Sequence, residues 1–230
     1  VKALFATLLA VFVLAWGLVR QGAERATPPL SSLPGPAASL ASQSAISTQG
    51  TPTGQAEVLA TSFLAFRKAC LDYARSLAPG TLADRLRQEA QADGGAAAWL
   101  SQDELAPFLP AGWRQPERPE GAPSWSAVLA WAPEPSAEGL PCVRLLVLSH
   151  VEDQRLEAEL ASATLDALLY PEGTGFACPG ADAGEAGAEE ARTACAQTFG
   201  IFGVPVPAEI GGQRLRQGAL VSALLFEAAP

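Results

Sequence analysis

Methionine is absent from the chain, and histidine occurs once, at His150. One histidine excludes a multi-histidine metal centre. The four cysteines, Cys70, Cys142, Cys178 and Cys195, form no C-x-x-C pair, so the ligand spacing of a zinc site is missing too. G-x-S-x-G, H-E-x-x-H, the phosphate loop and the dinucleotide fingerprint do not occur either. Their absence removes the common sequence signatures of serine hydrolases, zinc proteases and nucleotide-using enzymes. No catalytic, cofactor-binding or metal-ligating residue is therefore assigned, and no cofactor is expected. Lysine is nearly missing, with two lysines against thirteen arginines. Together with abundant Ala, Gly and Pro, that ratio suggests a high-GC bacterial coding bias and not a function. A chain that opens Val-Lys without methionine reads as an alternative start codon translated literally.

What is present begins with an apolar run over residues 3–19, bounded by Lys2 and Arg20. Its seventeen residues span roughly 26 Å as a helix, the short end of what crosses a hydrocarbon core of about 30 Å. Trp16 falls near the far end, where an indole seats at headgroup level. Residues 1–20 are read as a membrane anchor, with the membrane contacted through residues 3–19. The rival reading is a cleaved secretory signal, with Ala15 and Gly17 as small residues at a cleavage site. Apolar character continuing through Leu18 and Val19 favours the anchor. Both readings send the rest of the chain across the membrane.

Residues 21–55 are read as a flexible tether rich in Pro, Ser and Ala. From residue 26 onward it carries no charge, and such a stretch buries too little apolar surface to offset the entropy of ordering. Residues 56–230 form one domain, with 12 basic and 23 acidic side chains and a net charge of −11. That balance argues against nucleic acid as a partner.

Within the domain, Val58, Leu59, Phe63, Phe66, Cys70, Tyr73 and Leu77 recur at spacings of three and four, which predicts a helix over 55–78. Pro79-Gly80 stops it, and Thr81 can cap a second helix over 82–91. Ser101-x-x-Glu104 reads as a capping box for a short third helix. SWSAVLAW (124–131) and CVRLLVLSH (142–150) read as an antiparallel strand pair. A helix over 153–169 follows, with Leu156, Leu160, Leu165 and Leu168 inward. The acidic Gly/Ala segment after it reads as a surface insertion. Strands are expected over 199–206 and 218–226, with a turn at Gly211-Gly212. The fold class is α+β: an N-terminal transmembrane helix, a tether, then helices on a small antiparallel sheet.

An even cysteine count in an exported domain points to two disulfides in one of three connectivities. Cys178–Cys195, closing CPGADAGEAGAEEARTAC, is favoured, with Cys70–Cys142 as the second pair. His150 is the one neutral-pH base. It could pair with Asp153 and a serine, but capping or a solvated edge is the commoner role. The carboxylate neighbours Glu152–Asp153 and Glu189–Glu190 read as solvated charge, and GTGF (173–176) is too slight for a phosphate site.

SFLAFRKACLDYARSLAPGTLA (62–83), LAPFLPAGW (105–113), the tryptophan strand from Trp125, and VPVPAEI with GALVSALLF (204–226) resemble the PilM family of type IVb thin-pilus systems. The long neutral tether and the cysteine-flanked acidic segment depart from that family. Membership would imply a non-enzymatic inner-membrane component of the pilin transport or assembly apparatus. Its domain would lie in the periplasm and dock to other pilus assembly proteins. Processed pilins carry a Glu five residues into the apolar helix, and no acid lies between residues 1 and 23 here. The alternatives are an exported minor pilin-like or adhesion subunit and a secreted hydrolase. Trp113, Arg114, Arg118 and Trp125 are the candidate interaction residues, on a proline-rich segment that could present a rigid hot spot. The opposing expectation buries Trp113 and Trp125 in the core.

Overall fold

The computed structural model describes residues 52–228, apart from residues 79, 94–96, 119–120, 169–170, 172 and 183–184. The expected anchor and nearly all of the expected tether lie outside the described residues. No helix among the described residues is long and apolar enough to cross a membrane.

The domain is mixed α and β. Helix α1 (Pro52–Ser76) is followed by α2 (Thr81–Asp93), the short strand β1 (Ala97–Trp99) and α3 (Gln102–Leu105). Strands β2 (Trp125–Trp131) and β3 (Cys142–Ser149) lead to α4 (Gln154–Ala167) and β4 (Thr174–Pro179). Then come α5 (Ala188–Phe199), β5 (Gly203–Val206), β6 (Glu209–Ile210), β7 (Gln213–Arg214) and β8 (Leu220–Glu227). The six-stranded sheet runs in the order β1-β2-β3-β8-β4-β5, and β6-β7 form a separate hairpin. Every neighbouring pair in the large sheet is antiparallel except β4–β5, which is parallel. A parallel pair needs a crossover, and α5 supplies it.

The period of two along each strand sorts the core into two faces. Trp125, Ala127 and Leu129 of β2 share one face with Val143, Leu145 and Val147 of β3, and α1 and α4 cover it. Phe63 meets Trp125 edge-on with ring centroids 5.4 Å apart, and Phe66 stacks on Trp113 at 5.8 Å. On the opposite face Val128, Ala130, Leu146, Leu148 and Val221 pack against Ile210 and Leu215 from the hairpin region and Trp99 from β1.

Several local expectations hold. Glu104 N–H donates to Ser101 Oγ at 3.3 Å and Ser101 N–H donates to Glu104 Oε2 at 2.7 Å, completing the capping box. Burial alone would raise the Glu104 carboxyl, but hydrogen bonds from Arg85 and Ser101 outweigh it and hold its pKa down to about 2.

Others change. The strand expected over 199–206 begins only at Gly203, because Phe199 closes α5 and Gly200–Phe202 form a 3-10 turn. The acidic segment is no insertion, since its second half is the crossover helix. Four strands, β1, β4 and the two of the β6–β7 hairpin, were not expected at all. In β4, a Cβ on Gly175 would lie 2.0 Å from the Phe202 carbonyl oxygen, so the GTGF glycine serves close backbone approach.

Cys178 and Cys195 are joined, with Cα atoms 5.8 Å apart, and tie β4 to α5. A Cβ on Gly203 would sit 2.3 Å from Cys195 Sγ, so the bridge occupies the space a side chain would need. The expected Cys70–Cys142 pair is not formed, and both thiols are buried and free. Strand parity explains it. Cys142 shares its side of β3 with Leu146, on the hairpin face, while Cys70 sits in the core of the helical face. The sheet lies between them.

Candidate functional site

Residues 116–118 and 122–124 lie side by side: Ser124 N–H donates to Pro116 O at 3.0 Å and Arg118 N–H to Ala122 O at 2.9 Å. Arg118 is thereby fixed opposite Ala122. Strand β3 ends beside it at Ser149, and His150 N–H extends the ladder by donating to Ser124 O at 2.9 Å. Asp153 then caps α4. On the other side the chain leaves the β6–β7 hairpin through Leu215 and Arg216 before entering β8. Between these segments lies a cleft of about 200 Å³. Its rim holds Arg118, His150, Glu152, Arg214 and Arg216, over a floor that includes Leu148, Ala177 and Val221.

Glu157, in the first turn of α4, locks the cleft from below. It is 2% exposed. Leu220 N–H donates to its Oε1 at 2.6 Å, and Ser149 Oγ and Arg216 Nη2 donate to its Oε2 at 3.1 and 3.0 Å. One carboxylate thus ties α4 to the end of β3, the start of β8 and the loop between. Burial raises its pKa, and those three donors oppose the rise. Arg216 also donates to Glu152 O at 2.9 Å and to Val151 O. Arg118 is held more loosely: its Nη1 lies 3.7 Å from Glu152 Oε1, and Glu152 is 62% exposed. The buried Arg118 Nε has no hydrogen-bond partner among the described residues.

His150 Nε2 is 2.6 Å from Ser126 Oγ. Burial lowers the histidine's pKa, and the Arg118 and Arg216 cations lower it further. A serine beside a neutral imidazole has the outline of a nucleophile and its base. The carboxylate that would orient the imidazole is not in contact with it, however, because Asp153 spends Oδ1 on the amides of Arg155 and Leu156. What the cleft offers instead is concentrated positive charge above an apolar floor.

The candidate interaction residues are dispersed by the fold. Trp125 is 1% exposed inside the helical core, so it is no docking residue. Trp113 is half-buried on Phe66. Arg114 is exposed, and Arg118 belongs to the cleft. Both indoles pack on α1, Trp125 edge-on to Phe63 and Trp113 stacked on Phe66. Among the described residues the exposed large apolar side chains lie elsewhere, at Ile201, Phe202 and Leu225. Sequence reasoning missed Glu157, Arg216 and Ser126. Glu157 did leave a signal: at spacings of three, four and seven it lines up with Leu160, Ala161 and Thr164, the buried stripe of α4.

Comparison of the chain with protein-family models, with curated proteins and with solved structures returns no significant match.

Proposed function

We propose that this chain is a non-enzymatic, membrane-anchored component of a type IVb pilus assembly or pilin-transport apparatus, with its domain in the periplasm. The reading rests on the resemblance to PilM and on the apolar run over residues 3–19. One structural observation supports a docking role. Ile201 is 92% exposed and Phe202 38% exposed, on the turn between α5 and β5 that the Cys178–Cys195 bridge braces. Apolar side chains on a braced turn lose little freedom on binding and suit an interface hot spot. Affinity purification from detergent-solubilised membranes tests the reading. Pilus assembly proteins should co-purify, and Ile201→Asp with Phe202→Asp should reduce their recovery while circular dichroism is unchanged. Recovery of no pilus protein would refute it.

A second reading, a secreted hydrolase, is favoured by the 2.6 Å contact between Ser126 and His150. A fluorophosphonate probe should leave Ser126 unlabelled if the domain only assembles. Labelling that His150→Ala abolishes would establish the hydrolase instead.

A further inference from the structure

We infer that the cleft beside His150 is a binding site for a carboxylate carried on an apolar body, gripped at its charged end by Arg118 and Arg214. The domain is strongly acidic, yet three guanidinium groups, those of Arg118, Arg214 and Arg216, border this one cleft. Among the described residues two carboxylates border it or lie beneath it, and they differ. Glu157 is committed below to Leu220, Ser149 and Arg216. Arg216 is therefore neutralised in place. Glu152 stands at the rim, largely exposed, and approaches Arg118 only to 3.7 Å, beyond hydrogen-bond length. A ligand carboxylate can displace so weak a partner, and no other described residue accepts from the outer nitrogens of the Arg118 guanidinium. Arg214 is exposed on the hairpin and adds a second cation.

The floor selects the remainder of the ligand. Leu215, half-buried, presents hydrocarbon beside the edges of Val151 and Ala219, which a bare phosphate leaves unused and a short aliphatic group covers. About 200 Å³ accommodates a branched chain of a few carbons. Two sources share this chemistry, a free short-chain acid and the C-terminal residue of a polypeptide. A planar carboxylate also suits the flat guanidinium fork. The inference rests on the cleft alone and stands whether or not the chain serves a pilus.

His150 supplies the readout, since the chain has no other imidazole. The full chain in detergent is titrated with 4-methylpentanoate, N-acetyl-leucine, 4-methylpentanamide and inorganic phosphate, following the imidazole resonances. At least one carboxylate should give a saturable shift with a Kd of about 1 mM or tighter. The neutral amide and phosphate should each bind at least about tenfold more weakly, the worth of one charge-assisted contact. Tighter binding of N-acetyl-leucine assigns the source to a chain terminus, and tighter binding of 4-methylpentanoate to a free acid. Arg118→Gln and Arg214→Gln touch no buried ion pair, and each should weaken binding about tenfold. No saturable shift from either carboxylate, an equal response to the amide or to phosphate, or unchanged binding in both variants would overturn the assignment.

Discussion

Trp125 and Ser126 are neighbours in β2, yet they point into different surroundings. Trp125 enters a face covered by α1 and α4, where aromatic rings interlock. Ser126 enters a face covered by a hairpin and the loop beyond it, and finds His150. Arg144, on that same face, is buried beside Asp182, with side chains 7% and 10% exposed. Around Trp125 the helical face is closed by hydrocarbon. The hairpin face has an apolar cluster of its own, to which it adds the polar pairs Ser126–His150 and Arg144–Asp182, each member dependent on its partner. Truncation on the first should cost in proportion to volume, and on the second according to what it leaves unpaired.

The contrast can be broken by experiment. Trp125→Ala should give the largest loss, about 3–5 kcal/mol in urea unfolding; a loss below about 1 kcal/mol would mean that the helical face is not the closed core described. Asp182→Ala should cost about 3 kcal/mol, because it strands the buried Arg144 charge. Arg144→Met with Asp182→Leu should recover most of that loss, and failure to recover would show that packing, not charge, dominates there. Replacing Cys178 and Cys195 together by alanine should cost about 3 kcal/mol on the chain-entropy estimate, visible as a lower urea midpoint. A midpoint unchanged by that replacement would mean the bridge adds nothing to the edge it joins.

The smallest effect sharpens the comparison through pH. His150 is held below its ordinary value by burial and then by Arg118 and Arg216. Between about pH 6.5 and its folded value the unfolded chain therefore binds more protons. Stability should fall as pH drops through that window, and His150→Gln should remove this part of the dependence. Glu157, raised by burial, acts with the opposite sign, and its contribution is recovered as pH falls toward about 4.5. Urea midpoints of the two proteins at about pH 7.5 and 5.5 separate the effects. Equal pH slopes would remove His150 from the account.

Much of the fold was legible where pattern and burial coincide. The β2–β3 pair reads from two dense apolar runs, and α1 reads from Phe63, Phe66 and Cys70, which do face the core. The capping box at Ser101 reads from local chemistry alone. Strand β4 was hidden because Gly173 and Gly175 look like a turn, although Gly175 serves a tight approach to the Phe202 carbonyl. Strand β1 was hidden because Ala97, Ala98 and Trp99 carry almost no strand propensity as a group. In α4 the inward face is shifted by one from the leucine pattern: Glu157, Ala161 and Thr164 are buried, while Leu165 is only half-buried. A buried carboxylate reads as a solvent residue until its donors are known, and those donors come from β3, β8 and the loop before β8. The cleft was illegible for the same reason, since its groups meet only when residues near 118, 150 and 216 are brought together in space.

The failure of Cys70 and Cys142 to pair has a practical consequence. Each thiol is sealed into its own side of the sheet, and burial pushes Cys70 up to about 12, leaving almost no thiolate at neutral pH. An alkylating reagent can reach either one only during a spontaneous opening of its surroundings. The chain thus carries two native clocks. Modification of Cys70 counts excursions of the helices away from the sheet, and modification of Cys142 counts fraying at the start of β3. Mass spectrometry of the two peptides reads both rates from a single tube without any engineered label.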